Sequence, residues 1–284
     1  MNMKPNSIVK VLFDNKRLIF PLLYLVSIIG LAVCAGLFSV NPNKIDLNAI
    51  LMSPCGGHIF GTDELGRDYF VRCMYGARIS LFVGFFAMLV SLCIGTVLGV
   101  IAGYCGNLVD EILMRFIDFI SAIPSMILIT VVGMFIKKNV FSVILIIGMF
   151  SWVTVARLIR AEVLSLRQRA YVRYAQYLGE KNITIIIKHI LPQVAPLIIS
   201  TAIIGIAGSI MAESALSYLG LGVVPPTATW GALISQSMPH FQKAPHMAII
   251  PGLFIFFTVH SCKEIGAVIK KYVSVENSDE ITVK

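Results

Sequence analysis

The stretch Ser151–Gln193 reads SWVTVARLIRAEVLSLRQRAYVRYAQYLGEKNITIIIKHILPQ, a polar, basic interlude between two long apolar runs. A turn between membrane helices needs only a few residues, and this one is far longer. Within it Tyr171, Tyr174, Ala175 and Leu178 fall at i, i+3, i+4, i+7, and Ile183, Ile186, Ile187 and Ile190 repeat that spacing. Each set predicts a short amphipathic helix. Gly179 stands where a helix C-terminus favours glycine, and Asn182 where the next helix takes a side-chain N-cap. A short apolar-faced helix held in water by a membrane protein implies a partner protein that covers it.

Composition sets the class. Hydrophobic residues make up 57% of the chain and charged residues 13%, with a mean hydropathy of +0.85. A soluble domain of this length needs a far more polar surface, so the chain is an all-α integral membrane protein. The net charge of +8 does not point to nucleic acid, because the basic residues avoid the apolar runs and gather on one set of loops. The six cysteines are scattered, and only a loose Cys55-x-x-His58 approaches metal-site spacing. The apolar run Leu18–Val40 follows Lys10, Lys16 and Arg17, and it exceeds the roughly 20 residues that span a bilayer. The residue before Cys34 is Val33, not a small residue, so the run reads as a retained membrane helix rather than a cleaved signal.

Six spans are expected, at Leu18–Val40, Leu81–Tyr104, Phe116–Ile136, Val140–Leu158, Val194–Leu219 and Met247–Ile269. Lys4, Lys10, Arg157, Arg160, Arg167, Arg169, Arg173, Lys181, Lys188 and Lys284 then share one side, which the positive-inside rule makes cytoplasmic. Both termini lie inside, and the Asn41–Ile79 and Gly220–His246 segments outside. Lys137 and Lys138 dissent from this pattern. The expected organisation is an N-terminal helix with an extracytoplasmic loop over residues 1–79, a transmembrane domain over 80–272, and a short polar, frayed cytoplasmic tail over 273–284.

Several residues carry a physical argument. Gly95, Gly99 and Gly103 form a small-residue ridge, echoed by Gly205, Gly208, Ser209 and Ala212; such ridges pack bundles or line a subunit seam. Glu213 sits deep in the fifth span, where an ionised side chain is expensive; it is either a translocation-path residue or a hydrogen-bonded structural carboxylate. Arg115 and Asp118 are spaced to pair on one helix face. His240 and His246, flanked by Met238 and Met247, are candidate metal ligands whose spacing matches no defined site. Gly-Lys never occurs, so a Walker A loop is impossible, and no nucleophile–base arrangement stands out.

The 151–193 segment resembles the cytoplasmic signature loop of ABC importer permeases of the dipeptide/oligopeptide/nickel family. Four further stretches agree: HIFGTDELGRDYFVRCMYGARISLFVG (His58–Gly84), MRFIDFISAIPSMIL (Met114–Leu128), AESALSYLGLGVVPPTATWGALI (Ala212–Ile234) and IIPGL (Ile249–Leu253). The resemblance covers about residues 58–255 and is strongest to the shorter, C-type permease subunit. It implies a type I ABC importer permease fold whose coupling helix lies between spans four and five. Tyr171, Val172, Ala175, Leu178 and Gly179 carry over as the element that docks on an ATPase. It also implies a second, B-type permease, two ATP-binding cassette subunits that hold ATP and Mg, and an extracytoplasmic solute-binding protein. The chain itself would hold no cofactor and catalyse nothing. It would pass di- or oligopeptides across the bacterial cytoplasmic membrane, with nickel or a metal chelate as the alternative cargo. Arg173 and Tyr174 depart from the family pattern, as do Lys263, Ala267, Lys270, Lys271, Ser274 and Val275 after the last span. A stand-alone secondary transporter, the reading from another class, usually shows inverted repeats, and none is visible. An intramembrane enzyme would need paired catalytic residues in the spans.

Overall fold

A computed structural model describes residues 16–37 and 41–282, with no side-chain detail beyond Lys271. Lys4, Lys10, Val40 and Lys284, invoked above, lie outside the described residues. Helices dominate: α1 Ile19–Cys34, α2 Tyr69–Cys105, α3 Asn107–Ser121, α4 Ser125–Phe135, α5 Val140–Arg167, α6 Ala170–Tyr177, α7 Asn182–Ile185, α8 Leu191–Tyr218, α9 Trp230–Ser237 and α10 His246–Thr282. Apart from helices, the described residues contain two isolated bridges, Cys55–His58 and Thr62–Asp68, both in the loop before α2.

The centre of the bundle is the α2–α5 pair, and glycine makes it. A Cβ on Gly95 would fall 2.6 Å from Val155 Cβ, one on Gly99 2.7 Å from the Ala156 carbonyl, and one on Gly103 2.8 Å from Val163 Cβ. From the other helix, a Cβ on Gly148 would fall 2.7 Å from Val90 Cβ. The ridge therefore packs two helices of one chain backbone to backbone, where dispersion replaces the hydrophobic force. It does not face a subunit seam.

Three element boundaries differ from expectation. α2 starts at Tyr69, so the outer loop ends at Asp68, whose carboxylate caps the helix by accepting from Val71 N at 3.0 Å. The expected third span is two helices, α3 and α4, bent by 76°. Pro124 explains the break, since it has no N–H to give and its ring crowds the preceding turn. The expected second amphipathic helix is not separate. Ile183–Ile190 runs from α7 through a π-helical turn, Ile186–Ile190, straight into α8. Asn182 is likewise not a cap: Lys181 holds that position, and Asn182 Oδ1 accepts from Tyr104 Oη at 3.0 Å.

Four helical stretches are long and apolar enough to cross a membrane: α2, α5, Asn182–Tyr218 and His246–Lys271; the bent α3–α4 pair makes up to five. α1 has 16 residues, about 24 Å, against the ~30 Å of a bilayer core. Turns of 3-10 helix at Lys16–Leu18 and Ala35–Leu37 extend this helix at both ends, and Phe20, Leu23, Val26 and Val33 face outward from it. Its inner side is tied to α10, with Tyr24 Oη donating to the Phe254 carbonyl at 3.0 Å. α10 continues as helix to Thr282 where a frayed tail was expected. The boundary at Lys137–Asn139 holds, and Lys138 Nζ donates to the Gly220 carbonyl at 2.8 Å, just past the C-terminus of α8. A structural cation there accounts for the dissent in the charge pattern.

Candidate functional site

The hairpin between α5 and α8 presents α6. Val172 and Ala175 are buried, packed with Leu166, Ile185 and Ile190 of their own chain. Tyr174, Tyr177 and Leu178 are 66%, 89% and 64% exposed, and Tyr171 is 43% exposed. The helix ends in a paired reverse turn: Gly179 N donates to Gln176 O at 3.0 Å and Glu180 N to Ala175 O at 3.2 Å. Gly179 has φ +76°, the left-handed conformation this motif needs. Glu180 then binds His189 at 3.2 Å, fastening the turn to the base of α8. Of the five residues expected to dock a partner, Val172 and Ala175 instead hold α6 in place, and Gly179 ends it. Tyr171 and Leu178 remain on the outer face, joined by Tyr174 and Tyr177.

Above this hairpin lies a cavity of about 670 Å³, bounded by the α3–α4 bend, α5 and α8. Its wall mixes apolar surface with the hydroxyls of Ser121, Ser125, Ser151, Thr154, Ser200, Thr201 and Ser209, and with the thioethers of Met88, Met126 and Met211. Gly208 and Ala212 of the second small-residue ridge line it, and nothing lies within 4 Å of a Cβ on Gly208. Two cations reach it, Arg157 and Lys270. Arg157 Nη2 donates to Asp118 Oδ1 at 2.7 Å and to Ser121 Oγ at 3.0 Å. Arg160 forks onto both carboxylate oxygens of Asp110, so α3 is clasped to α5 twice. Asp118 therefore serves Arg157 rather than Arg115, which lies 3.6 Å from Glu111 on the exposed side.

Glu213 does not line this cavity. It is fully enclosed, with Oε2 accepting from Ser80 Oγ at 3.0 Å and Oε1 from Ser217 Oγ at 2.7 Å. Ser80 Oγ in turn accepts from Trp230 N at 3.2 Å, and Thr229 Oγ1 donates to Ser217 Oγ at 3.3 Å. The carboxylate thus ties α2, α8 and the first turn of α9 into one buried knot, the structural alternative of the two read from the sequence. The Tyr218–Leu221 corner beside it closes as a second glycine turn, with Gly220 at φ +72° and Leu221 N donating to Leu216 O at 2.9 Å.

The GTDELGRD block builds a clasp that sequence reasoning passed over. Arg72 is 1% exposed and Asp63 1%. Asp63 Oδ2 accepts from Arg67 Nε at 2.6 Å and lies 3.3 Å from Arg72 Nε, while Arg72 Nη2 donates to Gln236 Oε1 at 3.2 Å. Next to it, Asp68 holds His58 at 2.8 Å and Tyr69 Oη donates to the Met247 carbonyl at 2.5 Å. The legible signal was Asp63 with Arg67 four residues on, and Arg72 four residues after the Asp68 cap.

The structure does not bring His240 and His246 into one pocket. His240 borders a separate pocket with Met238, Phe241 and Lys243, which His246 does not line. His246 Nε2 is enclosed against the Gly61 turn, 3.0 Å from where a Gly61 Cβ would sit. Among the described residues no three His, Cys, Asp or Glu side chains converge as a metal site would require.

The sequence profile described as "Binding-protein-dependent transport system inner membrane component" matches residues 95–263. The chain is 36% identical over 254 residues to the oligopeptide transport system permease protein OppC of Bacillus subtilis, covering 89% of this chain and 83% of that protein. It is 37% identical over 258 residues to the dipeptide transport system permease protein DppC of Alkalihalophilus pseudofirmus, covering 90% and 85%. To the glutathione transport system permease protein GsiD of Pectobacterium atrosepticum it is 38% identical over 224 residues, covering 79% and 74%. Among solved structures, a chain of the MetNI methionine ABC transporter in an inward-facing conformation matches with a TM-score of 0.54 at 15% identity. That match covers 68% of this chain and 94% of the other, and is a likeness of fold.

Proposed function

The chain belongs to the family of binding-protein-dependent transport system inner membrane components, and from that premise we propose that it is one of two membrane subunits of an ATP-driven peptide importer. Its all-helical architecture is that of a type I ABC importer permease, and it is a multi-pass protein of the cytoplasmic membrane. The finer reading rests on one observation. α5 and α8, which wall the 670 Å³ cavity, are the two helices that the α6 hairpin joins. A partner that grips the exposed Tyr174, Tyr177 and Leu178 therefore moves both walls.

In this reading ATP and Mg reside on two cassette subunits beneath α6, and this chain performs no covalent chemistry. A second permease completes the pore opposite the cavity, and a solute-binding protein delivers cargo to the outer face near the 41–68 loop. Peptide is the cargo because the similar proteins named above are oligopeptide, dipeptide and glutathione permeases. A cavity of this size holds a short peptide. The hydroxyls supply hydrogen bonds to a peptide backbone without demanding a particular side chain, which suits a carrier of many sequences.

The test is uptake of a labelled tripeptide into proteoliposomes holding both permeases and both ATPases, with the binding protein outside and ATP inside. Uptake should require all of these. Accumulation driven by an ion gradient without ATP would instead make the chain a secondary transporter.

A further inference from the structure

Lys270 is the cavity residue that packing does not explain. It lines the cavity from α10, as Ser200 and Thr201 do from α8 and Arg157 from α5. Arg157 is matched by Asp118, and no Asp or Glu is among the lining residues. Lys270 has no ion-pair partner among the described residues. It is therefore the uncompensated charge of the cavity wall. The face it occupies carries three polar side chains: His260, Lys263 and Lys270 lie along one stripe of α10, with Ala267 between the last two, and all four residues are exposed. Such a stripe is costly against acyl chains, so this face of α10 turns toward water or toward the pore.

We propose that Lys270 binds a carboxylate of the cargo as it passes from the cavity toward the cytoplasm. The inference rests on the reading of the chain as a peptide importer and adds the chemistry that the cavity selects. An ammonium on a flexible stem offers three donors to an anion and can follow it as the cavity changes shape. The Thr201 hydroxyl on the cavity wall supplies a further donor. The rest of the wall, hydroxyl, thioether and hydrocarbon, holds no second free cation that would compete for the same anion. A free divalent metal ion meets the opposite situation, with a repelling charge and no carboxylate to receive it.

The complete transporter, reconstituted with its binding protein, tests this with Ala-Ala-Ala against its C-terminal amide. If wild type does not carry the amide, Ala-Glu-Ala against Ala-Gln-Ala serves in its place. Lys270→Gln should reduce uptake of the carboxylate-bearing peptide about fivefold relative to its neutral counterpart, and Lys270→Arg should restore most of the loss. A ratio unchanged from wild type in Lys270→Gln overturns the inference. That holds whether both fluxes persist, or both fall together with ATP hydrolysis, as they would if Lys270 met an ATPase or a lipid phosphate. Absence of ATP-dependent uptake of any peptide by wild type would remove the peptide-importer reading itself, and the inference with it.

Discussion

At the scale of the residue, buried charge decides what each polar side chain is for. Asp63 is shared between Arg67 and Arg72, and Arg72 is almost wholly enclosed. Removing one member of such a group leaves its neighbour charged and unpaired, which costs on the order of 3–5 kcal/mol. We predict that Asp63→Ala strips the folded yield in detergent and lowers the unfolding temperature, whereas Arg78→Ala, at an exposed position, leaves both near wild type. Glu213 gives a second case. Glu213→Gln keeps acceptors for Ser80 and Ser217 on one side only, and Glu213→Ala loses both, at roughly 1–3 kcal/mol per orphaned buried group. Stability should fall in the order wild type, Gln, Ala, while flux per folded molecule stays constant in the Gln variant. A Gln variant that is stable yet transport-dead would return Glu213 to the translocation path. From sequence, an acid within an apolar run announces itself, but its partners do not: Ser80 lies far from it in the chain, and hydroxyls scattered through spans carry no pattern.

At the scale of the element, periodicity located α6 but not its orientation. The spacing of Tyr171, Tyr174, Ala175 and Leu178 is helical, yet Ala175 faces the chain and Tyr174 faces away. One side of this helix packs on the protein's own core and the other exposes Tyr174, Tyr177 and Leu178, so a stripe drawn across the boundary mixed them. The Gly179 terminus, by contrast, was legible because a left-handed residue leaves a compositional mark. The π-helical entry to α8 left none, and the isoleucines that suggested a separate helix simply continue it. Function divides along the same line. The double variant Tyr174→Ala/Leu178→Ala should fold and insert normally but hydrolyse ATP with little peptide uptake, since only the outer face is lost. Val172→Asp places a carboxylate among Ile185, Ile190 and Leu166 and should instead reduce the amount of folded protein. Normal coupling in the outer-face variant, with ATPases bound, would remove α6 from the coupling role.

At the scale of the whole molecule, hydropathy announced the spans that are long and uniform, and composition fixed the membrane class. It overran at the bend, because Pro124 interrupts an apolar run without making it polar, and it fell short at Tyr69, because Arg72 inside α2 looks like a loop residue until Asp63 is seen to neutralise it. Charge predicts which side of the membrane each end occupies, and the protein carries its own probes for it. Cys55 is exposed in the loop before α2, and Cys105 is exposed at the last residue of that helix, 37 residues long and about 56 Å at the helical rise. The two thiols therefore belong on opposite faces of the bilayer. In whole cells, an impermeant maleimide should modify a variant retaining only Cys55 and leave one retaining only Cys105 untouched until the membrane is opened. The positive-inside argument makes Cys105 the inner thiol, because Arg157–Lys188 crowds the same end of the bundle through the contact of Gly103 with Val163. Reaction of Cys105 from outside, with Cys55 protected, would invert the topology and put α6 where no ATPase can reach it.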